Sequence, residues 1–189
     1  MLVDAHGQRG LVCKQAPSRI ARHQQLNDMV CASSGVGRRP GDQRTSRHFT
    51  TRWQTSRRND ANTVALGKAM VWDVTVVSTL AQSYHGPWSY VAAAVRGPGE
   101  VAELPAARKC EKYAELSRAY TFLPIAVETL RPMNESAYHF FEDLGRRICD
   151  VTGDTREVSF IFQRLSVTIQ RFSAALYHEI FVLHDDSEL

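Results

Sequence analysis

The chain has no run of about eighteen apolar residues, the length a membrane-crossing helix needs. Its opening residues, MLVDAHGQRGLV, lack the basic, apolar and small-residue regions of a secretory leader. An intracellular chain with no membrane partner is therefore expected. Cysteine is sparse: Cys13, Cys31, Cys110 and Cys149 lie far apart and form no CxxC pair. That spacing argues against a disulfide framework and a self-contained zinc site, and favours free thiols. Residues 32–66 also lack hydrophobic periodicity. Arg, Ser, Thr, Gly and Asn dominate there, with apolar residues scattered at neither strand nor helix spacing, so nothing in the stretch builds a core. No internal repeat is visible.

What is present suits one domain. A chain of 189 residues with 43% hydrophobic and 23% charged composition is long enough for one real core and too short for two large ones. Charge is divided along it. Residues 1–70 hold twelve Lys or Arg against four Asp or Glu, a formal +8, whereas residues 71–189 hold eleven against sixteen, a formal −5. A basic arm beside an acidic domain is what a nucleic-acid binder needs to neutralise phosphates, and it equally describes an unfolded Arg-rich segment with no partner.

The pattern predicts four helices and two strands. Pro17 to Val30 reads as a short helix, with Pro17 and Ser18 at its start and Ile20, Leu26, Met29 and Val30 as a partly apolar stripe. From Met70 the texture changes, and Val71 to Val77, VWDVTVV, reads as a buried strand. A Gly- and Pro-rich loop with a helical turn near Ala92 to Ala94 leads to a helix that starts at Pro105 and runs to about Tyr120. Phe122 to Thr129 is the second apolar strand, with Pro124 favouring an early or edge position. Strand, helix and strand together predict a right-handed parallel crossover. Glu135 to Val151 follows as a helix behind Asn134 as cap, ended by Gly153. A capping box at Asp154 and Glu157 then opens the last helix, where Val158, Ile161, Phe162, Leu165, Ile169, Phe172, Leu176 and Ile180 recur at helical spacing. Its two-sided apolar content suggests contact with both the sheet and a neighbouring helix or another chain.

Two features bear on chemistry. Asp73 is a carboxylate inside an apolar strand, a costly position unless the charge is paired, neutralised or bound to a cation. It suits a metal ligand, and also a strand-end Asp that faces solvent or pairs with a nearby Arg. Lys109, Lys112 and Tyr113 stand at i, i+3 and i+4, so one helix face would present all three to a phosphate. The same residues also suit two solvated lysines beside Glu111 and Glu115 and a tyrosine packed in the core.

The strings MVWDVTVVSTLA, ARKCEKYAELSRAYTFLPIAVETL and FFEDLGRRICDVTGDTREVSFIFQRLSVTIQRF resemble the C-terminal region of reverse-transcriptase polyproteins of non-LTR retrotransposons, across residues 70–182. In that family a zinc knuckle and a restriction-like endonuclease of the PD-(D/E)XK type follow the reverse transcriptase. The resemblance implies a small restriction-endonuclease-like α/β sheet with two C-terminal helices. It also implies Mg²⁺-dependent cleavage of DNA, with Asp73 as a metal ligand and catalytic residue and Lys109, Lys112 and Tyr113 as further catalytic residues. DNA or RNA would be the partner, in the nucleus for a functional element. Residues 10–30, GLVCKQAPSRIARHQQLNDMV, resemble the segment joining knuckle to nuclease. The expected organisation is thus residues 1–31 as a linker remnant with a short helix, 32–69 as a low-complexity Arg-rich stretch without order, and 70–189 as the endonuclease-like core.

The departures matter equally. Relatives carry cysteines ahead of the GLVC stretch and a His where this chain has Arg9, so Cys13 stands alone as a zinc ligand. They also carry Glu-Pro and Arg-Pro-Asp-Gly motifs before the WDVTVV strand, and this chain has neither. Codons can be chosen for QRTSRHFTTRWQTSRRNDANTVAL, residues 43–66, such that a shift of one nucleotide reads NEPRDTSRRDGKRPDGMTLIPWL, which resembles the missing segment. A frameshift in this region is the expectation, to be tested by sequencing the underlying DNA. Asp73 is then left without its upstream carboxylates, with Asp60 as a distant substitute, and one carboxylate holds Mg²⁺ poorly. A degraded endonuclease without activity is the leading expectation. A noncatalytic nucleic-acid-binding module and a translated pseudogene fragment without function are the alternatives.

Overall fold

The computed structural model describes residues 17–33, 64–65, 68–79 and 90–185. Cys13, Asp60 and most of the Arg-rich stretch lie outside the described residues. The chain is mixed α/β and mostly helical, with helices α1 (Pro17–Ser33), α2 (Tyr90–Arg96), α3 (Glu100–Lys112), α4 (Glu135–Thr152) and α5 (Glu157–Asp185). The strands are β1 (Val64–Ala65), β2 (Lys68–Val77) and β3 (Thr121–Glu128), and a 3₁₀ turn spans Ala114–Arg118. β2 lies between the other two. It pairs antiparallel with β1 through two residues and parallel with β3 over its remaining length, Asp73 standing opposite Pro124.

Side chains alternate across a strand, so β2 divides its residues between two helical layers. Met70, Trp72 and Val74 join Ile125 and Val127 of β3 in one core with Leu26, Met29 and Val30 of α1, Phe141 and Leu144 of α4, and Ile161, Leu165 and Ile169 of α5. On the opposite face Val77 packs with Ala93 and Val101, and Ala126 with Ala102 and Ala106. Helices α2 and α3 therefore cover the face on which Asp73 projects. α1, predicted within a linker, belongs to the main core: Leu26 and Val30 are each 1% exposed.

The elements differ from their predicted bounds for local reasons. β2 begins two residues before Met70. α3 starts at Glu100 rather than Pro105 and ends at Lys112 rather than near Tyr120, so Pro105 stands inside the helix. Gly99 supplies the left-handed turn before it, at φ 90, where an added Cβ would lie 2.6 Å from the Met133 carbonyl oxygen. Glu100 and Glu103 then place negative charge in its first turn. Tyr113 is the C-cap at φ −110 and ψ 20, and the chain tightens there into the 3₁₀ turn.

Asn134 is the N-cap residue of α4, as expected, and its carbonyl accepts the Tyr138 N–H at 3.0 Å, but its side chain makes no capping bond. Its side chain turns instead to the outer edge of β3, accepting the Ala126 N–H at 2.8 Å and donating to the Pro124 carbonyl at 3.2 Å. A residue's N–H and C=O point to the same strand edge, so the N–H that Pro124 lacks would also have faced outward, and no ladder bond is lost. The edge position expected from Pro124 holds. Gly153 ends α4 at φ 75. Asp154 does not form the capping box. Its carboxylate accepts the backbone and side-chain N–H groups of Arg156, not the backbone of Glu157. The last helix buries Ile161, Leu165, Ile169 and Leu176, as its spacing predicts, by packing on α1 and α4.

Candidate functional site

The Asp73 carboxylate is met by the crossover helix. Lys109 reaches from α3 to place its ammonium nitrogen 2.9 Å from Asp73 Oδ1, with the two side chains only 16% and 11% exposed. The same nitrogen donates to the Asp73 backbone carbonyl at 3.3 Å. Of the settings considered for Asp73, the structure shows a charge pair, with Lys rather than Arg as partner. Burial lowers the proton affinity of Lys109 below that of an ordinary lysine, and Asp73 pulls it back up. A recessed, cationic Lys beside a carboxylate is suited to meeting a phosphate oxygen.

Lys109 and Lys112 lie one turn apart at the end of α3, and Tyr113 follows as its C-cap, its N–H bonded to the Lys109 carbonyl oxygen at 3.0 Å. The helix stops at Lys112, and Tyr113 leaves it with a non-helical backbone. Its ring packs at a tilt against Phe122 of β3 with centroids 5.2 Å apart, and the exposed Lys112 ammonium lies 4.9 Å from the Tyr113 ring centroid. Lys112 still feels the charges of both Asp73 and Lys109, so the two lysines serve one neighbourhood from different depths.

The sequence reading missed the contribution of α1. Trp72 Nε1 donates to Asn27 Oδ1 at 3.2 Å, and Asn27 Nδ2 bonds His23 Nδ1 at 3.0 Å. His23 Nε2 in turn meets the Val74 carbonyl at 3.0 Å. Because Asn27 Oδ1 accepts from the indole, its amide N–H faces Nδ1, and His23 must carry its proton on Nε2 to donate to Val74. Val77 accepts the Thr129 N–H on the β3 side. Carbonyls alternate along a strand, so that of Val74 points to the opposite edge, where His23 caps it. This relay anchors α1 beside Asp73. Burial lowers the proton affinity of His23, Asp73 raises it, and Lys109 and Arg19 lower it further. The available signal was Arg19, Arg22 and His23 at i, i+3 and i+4 on one predicted helix, but the strand carbonyl that His23 meets lies 51 residues away.

A second carboxylate, Glu128 at the end of β3, is only 4% exposed. It accepts the Ala102 N–H at the start of α3 and further bonds from the backbone of Val101 and Gly99, which oppose the upward push of burial on its proton affinity. Its bonds satisfy the free amides of a helix start. Glu128 is thus a structural acceptor.

Mg²⁺ prefers several oxygen ligands in octahedral array. Among the described residues no three His, Cys, Asp or Glu side chains converge, and Asp73 already engages Lys109. The described donors do not fit that ion. Among the described residues no helix is long and apolar enough to cross a membrane. Comparison with protein-family models, curated proteins and solved structures finds no match to this chain.

Proposed function

We propose that this chain is a degraded endonuclease domain of the non-LTR retrotransposon type, descended from a restriction-like enzyme that cleaved DNA with Mg²⁺ and now without cleavage activity. The observation that carries the reading is the 2.9 Å pair between Asp73 and Lys109. The resemblance assigns catalytic roles to these two residues, and here they meet across the first strand and crossover helix of a parallel β-α-β unit. In an active ancestor, paired carboxylates would hold the metal and the helix lysine would stabilise charge developing on the phosphate. Here Asp73 has Lys109 as its counter-ion.

A plasmid-nicking assay with Mg²⁺ or Mn²⁺ tests both parts. The chain as it stands gives no nicking. A variant in which residues 43–66 are replaced by NEPRDTSRRDGKRPDGMTLIPWL gains metal-dependent nicking, and Asp73→Ala abolishes that gain. Nicking by the unaltered chain that Asp73→Ala removes would overturn the inactivity. A folded replacement variant that cleaves nothing would overturn the ancestry.

A further inference from the structure

We infer that α1 and the end of α3 form two walls of a binding site for the phosphodiester backbone of nucleic acid, with Arg19 and Lys112 as its contacts above the recessed Asp73 and Lys109 pair. The inference rests on the proposed descent from a DNA-cleaving domain and adds a helix to which that reading gives no role.

Charge is the first ground. Arg19, Arg22 and His23 occupy one stripe of α1, whose first turn contains no acid. Arg19 acts on Arg22 and His23, His23 lies within reach of Asp73 and Lys109, and Lys109 of Lys112. Four cations thus adjoin one carboxylate while His23 is held neutral, leaving the cluster at a formal +3. Neither Arg19 nor Lys112 pairs with a carboxylate among the described residues.

Arg22 is the second ground. It is 2% exposed, yet its Nη1 has no hydrogen-bond partner. Burial, with Arg19 adding to it, lowers its proton affinity to about 10. A buried guanidinium nitrogen left without a bonding partner is a costly arrangement. Arg19 stands one turn before Arg22 on the same stripe of α1, and the two like charges act on each other. An anion at Arg19 offsets both, and the start of α1, whose first turn holds no acid, favours the same sign.

The ligand class follows from the spread of the patch. Its positive groups come from two helices at different depths, which suits successive phosphates on a strand better than one small anion. Fluorescence anisotropy of a labelled DNA duplex, and of the matching single strand, measured across a KCl series tests this. For the wild-type chain, log affinity falls linearly with log salt. Arg19→Gln and Lys112→Gln each reduce that slope by about 0.9 on duplex or about 0.7 on single strand. Arg19→Lys keeps it, and so does Arg146→Gln on α4, whose guanidinium is already paired with Glu142 and Asp143. Unfolding curves coincident with wild type certify each variant's fold. Wild-type slopes in both Gln variants would overturn the inference and leave the descent intact, since the basic arm would then account for binding. Absence of binding by the wild-type chain would overturn it as well, while the nicking experiment judges the descent separately.

Discussion

His23 shows how much of this molecule's electrostatics depends on single protons. In the folded chain its Nδ1 faces an amide N–H of Asn27 and its ring is half-buried, so its proton affinity lies below the ordinary histidine value of 6.5. As pH falls below 6.5, the unfolded chain takes up this proton before the folded chain does, and stability drops through that window. Urea unfolding at pH 7.5, 6.5 and 5.5 should show this loss in wild type and less of it in His23→Gln, which cannot titrate. Asp73 was legible in the sequence because one carboxylate in an apolar strand requires a counter-charge. Its partner was legible only through the family resemblance, and the Trp72, Asn27 and His23 relay was not, since propensity and periodicity carry no information about contacts 45 or more residues apart. Glu128 escaped notice for a similar reason, because its role at the start of α3 depends on a helix 26 residues earlier.

Helices and strands were read more securely than their ends. α5 was legible from its apolar repeat, β2 and β3 from their β-branched runs, and α4 from its stop at Gly153. The bounds of α3 differ because Pro105, which suits a first helical turn, stands inside the helix, whereas Gly99 and the acidic first turn set its start. The join between α4 and α5 depends on Gly145, where an added Cβ would lie 2.7 Å from the Val158 Cα and 2.9 Å from its Cγ2. The obstacle includes backbone, so a methyl group there must push the helices apart. Gly145→Ala is expected to cost about 1–3 kcal/mol, read as a lower urea midpoint with an unchanged slope. Arg131 occupies a left-handed position at φ 89 in the turn between β3 and α4, where glycine is usual, and no sequence signal marks it.

At the scale of the whole molecule, one buried cluster joins α1, both parallel strands, α4 and α5. A core of that reach should melt as a unit. Calorimetry is expected to give one transition with equal calorimetric and van't Hoff enthalpies. Leu26→Ala, which empties a side chain 1% exposed in α1, should lower that transition whole by about 2–5 kcal/mol. Two resolved transitions would show that α1 is merely appended. The reading of α1 within a linker came from the family resemblance of residues 10–30, which carries no information about what the helix packs against. The sheet also has a consequence for solubility. With Asn134 bonded to Ala126 and Pro124, and Glu128 donating its N–H to the Pro132 carbonyl, the outer rim of β3 keeps few docking points for a foreign chain. Zipper-like growth from that side is blocked by one carboxamide and a turn.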